Sequence, residues 1–229
     1  MKLSRLLAAV AVAGAFAAPA YAETIYWTDW TAKTYGNPGS AIGTIGLPAG
    51  AVAVGYSGEI VNTGDQGDWS QFAGTYTSSA VDNAPTPSLV SIQLIGGNST
   101  VNTISFSVPI YNPVMAIQSL GSGDAARYVF DQPFSLLSQG PGHWGGGSAS
   151  LTTSGPVAGG YTTLIGNEGN GTIRFLGSYS SISWTVPDGE NYHMFTIGAP
   201  VPEPETYAML LAGLGLLGFI ARRKNSVRP

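Results

Sequence analysis

Few side chains in this sequence of 229 residues could carry chemistry. The two histidines, His143 and His193, lie fifty residues apart, and neither falls in a metal-ligand or triad spacing. No G-x-S-x-G elbow, phosphate-binding loop or H-E-x-x-H helix motif is present. There is no cysteine, which removes thiol nucleophiles, thiolate metal sites, disulfides and lipid attachment through a lipobox. The acids remain. Asp65 and Asp68 could offer oxygens to Ca²⁺, as could Asp124 with Asp131. Ca²⁺ takes about six to eight oxygen ligands, however, and no segment here has an EF-hand or RTX pattern. Turn-forming aspartates are the simpler reading. Any two acids could in principle act as a glycosidase pair, so no catalytic residue is assigned and Ca²⁺ is the one cofactor entertained.

The tryptophans are more suggestive. Trp27, Trp30, Trp69 and Trp144 lie at or near predicted strand ends and loops, where a ring can stack on a sugar. Trp184 alternates with Ile182 and Val186 and is expected in a core. Trp27 and Trp30 are three apart and point to opposite faces of a straight strand, so at least one is expected to be buried. Trp144, beside His143 in a glycine-rich stretch, is the first candidate for a glycan contact, and Trp69 beside Asp68 is the second.

The elements that must position these residues read as β throughout. Thirty-two glycines and short apolar runs leave no stretch with a sustained helical period away from the two ends. Residues 103–108 place Ile104, Phe106 and Val108 on one face, and residues 181–186 do the same with Ile182, Trp184 and Val186. These six are expected in one core. Further strands are expected at 23–30, 51–61, 71–77, 89–95, 114–120, 127–130, 148–153, 162–165, 171–176 and 192–197, with Gly, Pro, Asn and Asp between them. Residues 140–160 are expected to form a long loop interrupted by a short strand. The pattern predicts an all-β fold, an antiparallel two-sheet β-sandwich of jelly-roll type, with helix confined to the two terminal segments.

Those terminal segments read as addresses. Lys2 and Arg5 precede an apolar run at 6–18, and Ala20 and Ala22 are the small residues of a signal-peptide cleavage site before Glu23. At the other end, Val201, Pro202, Glu203, Pro204 and Glu205 precede an apolar segment at 206–221 and a basic stop of Arg222, Arg223 and Lys224. Sixteen helical residues span about 24 Å, slightly less than a bilayer core, and the basic stop holds that end inside. The chain therefore divides into a leader (1–22), an exported domain (23–199) and a tail (200–229), with Pro200, Pro202 and Pro204 keeping the connection extended. Between 23 and 199, three basic residues stand against eleven acids, a net charge of −8. Such a surface repels nucleic acid.

The order of Val201-Pro202-Glu203-Pro204-Glu205, apolar segment and Arg222-Arg223-Lys224 closely resembles the PEP-CTERM sorting domain. That resemblance implies processing by an exosortase, an integral-membrane transpeptidase-like protease, and an association with exopolysaccharide and biofilm. On this reading the protein passes signal peptidase, is held transiently in the inner membrane by 206–221, and reaches the cell surface or extracellular matrix. There it is expected to be structural or glycan-associated rather than an enzyme. A secreted polysaccharide hydrolase is the alternative, and an open groove lined by two carboxylates would favour it.

Overall fold

A computed structural model describes residues 22–64, 68–86, 88–122, 124–144, 150–201 and 213–215. β1 (Ile25–Trp27), β2 (Asp29–Thr34), β3 (Gly36–Leu47) and β4 (Gly50–Ile60) follow one another at the start. β5 (Asn62–Gly64) precedes a short helix, α1 (Asp68–Gln71), and a 3-10 turn (Ala73–Thr75). Next come β6 (Ser91–Gly96), β7 (Asn102–Tyr111), β8 (Val114–Leu120) and β9 (Ala126–Gly140). β10 (Ser150–Val157) and β11 (Gly160–Asn167) form a hairpin. β12 (Gly169–Phe175), β13 (Ser178–Thr185) and β14 (Gly189–Pro200) complete the set.

All ladders between these strands are antiparallel, and they join into one sheet rather than the expected two-sheet sandwich. Its main path runs β2-β3-β4-β7-β13-β9-β12-β8-β14-β6-β5, with β1 on β14 and the β10–β11 hairpin on β9. The sheet curls until its ends meet. Lys33 Nζ on β2 donates to Thr63 Oγ1 on β5 at 2.5 Å, and Thr28 donates its backbone N–H to Ile197 O at 2.9 Å.

The large core lies inside the curl. Ile104, Phe106, Ile182, Trp184 and Val186 belong to it, as the alternation of β7 and β13 predicts. Val108 does not: it is 51 % exposed. The β7–β13 register slips between Ser105 and Ile110, so β7 carries extra residues there and the period of two is lost across Val108. A second core sits on the outer surface of the sheet. Trp69 and Tyr76, from the segment containing α1 and the 3-10 turn, pack with Ile25, Trp27, Val81, Val114 and Ala116. Helix is therefore not confined to the termini, and residues 71–77, expected as a strand, are helix and turn. β8 is buried along its whole length because it lies between the two cores: Met115 and Ile117 face inward, Val114 and Ala116 outward. Trp27 and Trp30 likewise divide, the first into the outer core and the second into the inner.

One strand, β3, is concealed by its composition. β3 points Gly39, Ala41, Gly43 and Ile45 inward. At Gly43 an added Cβ would meet Asp29 O of β2 at 2.6 Å, so glycine is what lets the two backbones approach there. Of the loop expected at 140–160, residues 141–144 are outside any strand, the interrupting strand is β10 and is longer than expected, and residues 145–149 lie outside the described residues. Pro200, expected in an extended connection, closes β14 instead. Among the described residues no helix is long and apolar enough to cross a membrane. Residues 1–21 of the leader and most of the segment at 206–221 lie outside those residues; within 206–221, 213–215 alone are seen as helix.

Across the curl, Glu59 at the end of β4 is 3 % exposed. Its Oε2 accepts the backbone N–H groups of Ile95 (3.1 Å) and Gly96 (2.8 Å) at the end of β6. Its Oε1 accepts Asn98 Nδ2 at 3.0 Å and Asn37 Nδ2 at 3.4 Å. Asn102 Oδ1 accepts the Glu59 N–H at 2.9 Å and the Tyr56 hydroxyl at 2.7 Å. Burial, then the nearby Glu59 charge, raises the Tyr56 phenol far above the ordinary tyrosine range. Tyr128, fully buried near Glu190, is raised in the same way.

Two expectations follow for residues 23–200 in urea unfolding. Phe106→Ala should cost about 3–5 kcal/mol, whereas Val108→Ala should stay within about 0.5 kcal/mol; equal losses would contradict the slipped register. The tyrosines set an alkaline limit. Unfolded tyrosine ionises near pH 10, roughly, while Tyr56 and Tyr128 stay neutral in the fold. Their contribution is thus complete below that pH and declines above it, by about 1.4 kcal/mol per pH unit for each residue. Tyr128→Phe should flatten the fall measured above pH 10 (roughly, the free-phenol value), and an unchanged slope would refute the assignment.

Candidate functional site

The end of the fold that carries Glu23 and Pro200 is built by β1 and β14. Their register pairs Ile25 with Pro200, Tyr26 with Ala199 and Trp27 with Gly198. β1 forms because Ile25 and Trp27 both face the outer core, and β14 reaches it after pairing along β8 and β6. Glu23 is fixed just ahead of β1. Its N–H donates to Ala80 O at 3.2 Å, and its carbonyl accepts Asp82 N–H at 3.2 Å. The Glu23 carboxylate lies 2.6 Å from Arg174 Nη2, which also donates to Ala80 O at 3.0 Å. Asn83 closes the set, accepting Ile25 N–H at 2.7 Å and donating to Ile25 O at 2.8 Å. Ala22 and Val201 are both half-buried at this end. Ala20, Pro202, Glu203, Pro204, Glu205, Arg222, Arg223 and Lys224 lie outside the described residues.

The glycan candidates separate sharply. Trp144 is 45 % exposed, whereas Trp27, Trp30, Trp69 and Trp184 are all buried. Trp144 follows β9 in a turn held from two sides: Thr75 Oγ1 donates to Pro141 O at 2.7 Å, and the Asn170 side chain lies against Gly142. Asn170 is itself locked, accepting Ser119 N–H and donating to Glu168 O. The Trp144 ring stands nearly perpendicular to His143, with centroids 4.5 Å apart, and to Tyr192 at 6.2 Å. The three rings form one cluster beside the glycine-rich segment. Trp69 is not available as a contact: it has no exposed surface and packs edge-on against Tyr76 at 4.7 Å. The reason is that α1 lays its aromatic side over β8 and β1.

His193 has a partner that spacing hides. Its Nδ1 lies 2.6 Å from Glu190 Oε1, which also accepts Gly121 N–H at 2.9 Å. Three apart on a regular strand, these residues would face opposite sides, but the β14–β6 register shifts between Gly189 and His193. That irregularity turns both side chains into the fold. Both are essentially enclosed, at 0 % and 2 % exposure, with the Tyr128 ring 5.1 Å from the imidazole. The pair is enclosed in the folded protein, and it joins the start of β14 to the turn after β8.

Several other carboxylates are held by structural partners. Asp188 pairs with Arg127 at 2.7 Å, Glu168 accepts the Ser119 hydroxyl, and Asp131 accepts Ser183 N–H. Asp124 sits in an isolated bridge with Ser122. Asp65 and the Asp68 side chain lie outside the described residues. Among those residues no group of three or more His, Asp or Glu side chains could hold a metal ion. A shallow groove of about 460 Å³ crosses the outer face of β2, β3, β4 and β7. Thr31, Thr44, Ser105 and Ser107 line it with Ile42 and Ala53, and it holds no charged side chain.

No curated protein and no solved structure matches the chain. Residues 200–224 match the family model described as the PEP-CTERM protein-sorting motif. The match begins at Pro200, the residue that pairs with Ile25. This motif implies export, processing by exosortase (a membrane protease-like enzyme) and transient membrane anchoring before display at the cell surface or beyond. The chain thus carries a PEP-CTERM protein-sorting motif, fused directly to the last strand of a curled β domain.

Proposed function

We propose that this protein is a structural, glycan-associated component of the exopolysaccharide matrix, delivered there by removal of the leader before Glu23 and exosortase processing at the tail. The observation that carries the glycan contact is the single exposed tryptophan, Trp144, among five. The turn leading to it is held at Pro141 by Thr75 and at Gly142 by Asn170, and a held turn lowers the ordering entropy of presenting the ring to a sugar. The domain's net charge of −8 favours neutral over anionic polymers. Stacking of one ring contributes on the order of 0.5–1.5 kcal/mol if it resembles aromatic pairing. Single sites are therefore weak, and retention comes from many copies engaging one polymer. The enclosure of His193 with Glu190 keeps that pair from acting on a polysaccharide.

Two measurements test this. Residues 23–200 should be retained by the producing strain's own exopolysaccharide, and Trp144→Ala should weaken that retention, whereas Trp69→Ala should act only through stability. Release of reducing ends over time, abolished by one carboxylate substitution, would replace the proposal with a hydrolase. Separately, mass spectrometry of surface protein from an exosortase-bearing host should find neither residues 1–22 nor residues 222–229. Retention of the basic end at steady state would make the tail a plain anchor.

A further inference from the structure

Three strands have an uncharged turn at one end and an acid-bearing turn at the other. β8 starts after Tyr111, Asn112 and Pro113 and ends ahead of Asp124. β12 starts after Glu168 and ends before Leu176 and Gly177. β13 starts from that second uncharged turn and ends ahead of Asp188. The uncharged turns are joined: Asn112 N–H donates to Gly177 O at 2.7 Å, and Phe175 N–H donates to Pro113 O at 3.0 Å. The β10–β11 hairpin reaches the same pole, because Phe134 pairs with both Tyr161 and Phe175. β14 ends there too. Val114 pairs with both Gly198 and Arg174, and Pro200 lies two residues past that point. The tail therefore leaves the body at the pole of Tyr111 and Leu176.

Those two side chains stand in the open. Tyr111 is 65 % exposed, Leu176 48 % and Val157, at the hairpin tip, 49 %. Exposed apolar side chains occur at the far pole as well, Tyr35 and Val101 among them, but there Asp124, Glu168 and Asp188 stand with them. Five residues, 201–205, separate Pro200 from the apolar segment, a reach of about 17 Å when extended. We propose that, while the tail is anchored, this pole seats on the lipid headgroup layer around it, with Tyr111 and Leu176 as its contacts. This rests on the transient anchoring that the sorting motif implies. A tyrosine ring buries apolar surface at headgroup level and keeps its hydroxyl wet, and Leu176 adds apolar area to the contact. Anionic lipid repels carboxylates, and the pole that carries three of them is the one turned away. The seat also directs the Trp144 cluster outward, since Gly142 lies against Asn170 at the start of β12, far from Leu176.

The chain has no cysteine, so a single thiol can carry a fluorophore at a chosen place. The test reconstitutes the full chain into liposomes of phosphatidylethanolamine and phosphatidylglycerol containing a headgroup-spin-labelled lipid as quencher. One reporter is Ser178→Cys, which pairs with Tyr111 at the seated pole. The other is Ser99→Cys, past the end of β6 at the far pole. The Ser178 reporter should be quenched about twofold or more and the Ser99 reporter not at all. A short tether alone would also bring the pole near the bilayer, so the deciding comparison removes the contacts. Tyr111→Ser with Leu176→Ser changes two exposed side chains and should cut the quenching at 178 by about half or more. Tyr111→Phe with Leu176→Ile should retain it. Equal quenching of the two reporters, or undiminished quenching in the serine variant, overturns the proposal. A chain that does not float with the liposomes overturns the anchoring reading instead, so the two failures are distinguishable.

Discussion

The curled sheet depends on one buried carboxylate. β4 and β6 share no ladder, yet the Glu59 carboxylate accepts backbone N–H groups from the end of β6 and side-chain amides from Asn37 and Asn98. A charge taken out of water is costly unless its lone pairs are satisfied, and four donors meet that demand. Because two of them are main-chain groups, the carboxylate replaces a missing strand–strand contact across the opening of the curl. Tyr56 and Asn102 extend the same network to β7. An apolar side chain at position 59 could fill the volume, but it would leave the Ile95 and Gly96 N–H groups without an acceptor. The network therefore specifies which strands face one another, which apolar packing alone does not.

Around that closure the chain divides its apolar residues between two cores. The inner one is continuous and lined by aromatic pairs, Trp184 with Phe195 at 4.9 Å and Phe130 with Phe175 at 5.1 Å among them. The outer one is smaller and is assembled from β1, β8 and the segment around α1. Its contribution is positional. By covering the outer face of β8 it anchors the first residues of the domain, and through β1 it pins the strand from which the sorting tail departs. The terminal pole and the core are thus one construction.

Much of this was legible where side-chain alternation is strong. Ile104, Ile182, Trp184 and Val186 stand inward as their spacing requires, and the three-residue separation of Trp27 and Trp30 correctly divides them between faces. Three kinds of feature were not legible. β3 alternates, but its inward positions are mostly glycine and alanine, so hydrophobicity carries no period there. Val108 and the Glu190–His193 pair lie at register slips, where a partner strand, not the local sequence, decides which way a side chain turns. Trp69 looked like a loop residue because burial against β8 is a long-range matter. The single sheet in place of a sandwich has the same origin: most ladders on the main path join strands that are not neighbours in sequence. The sorting motif was fully readable because its signal is local, whereas the Trp144 cluster needed Tyr192, which lies far along the chain.

The pairing of β1 with β14 also has a consequence in time. An exported chain emerges amino end first, so β1 is among the first segments to appear, and its only ladder partner is the last strand of the domain. The β1–β14 ladder cannot form until Gly198 has crossed the membrane. Contacts of such long sequence separation slow folding and leave apolar surface uncovered meanwhile. Ile25 and Trp27 therefore wait in the envelope for almost the whole passage of the domain. Translocation speed sets how long those side chains stay exposed to neighbouring chains, and a holding chaperone would act during this interval.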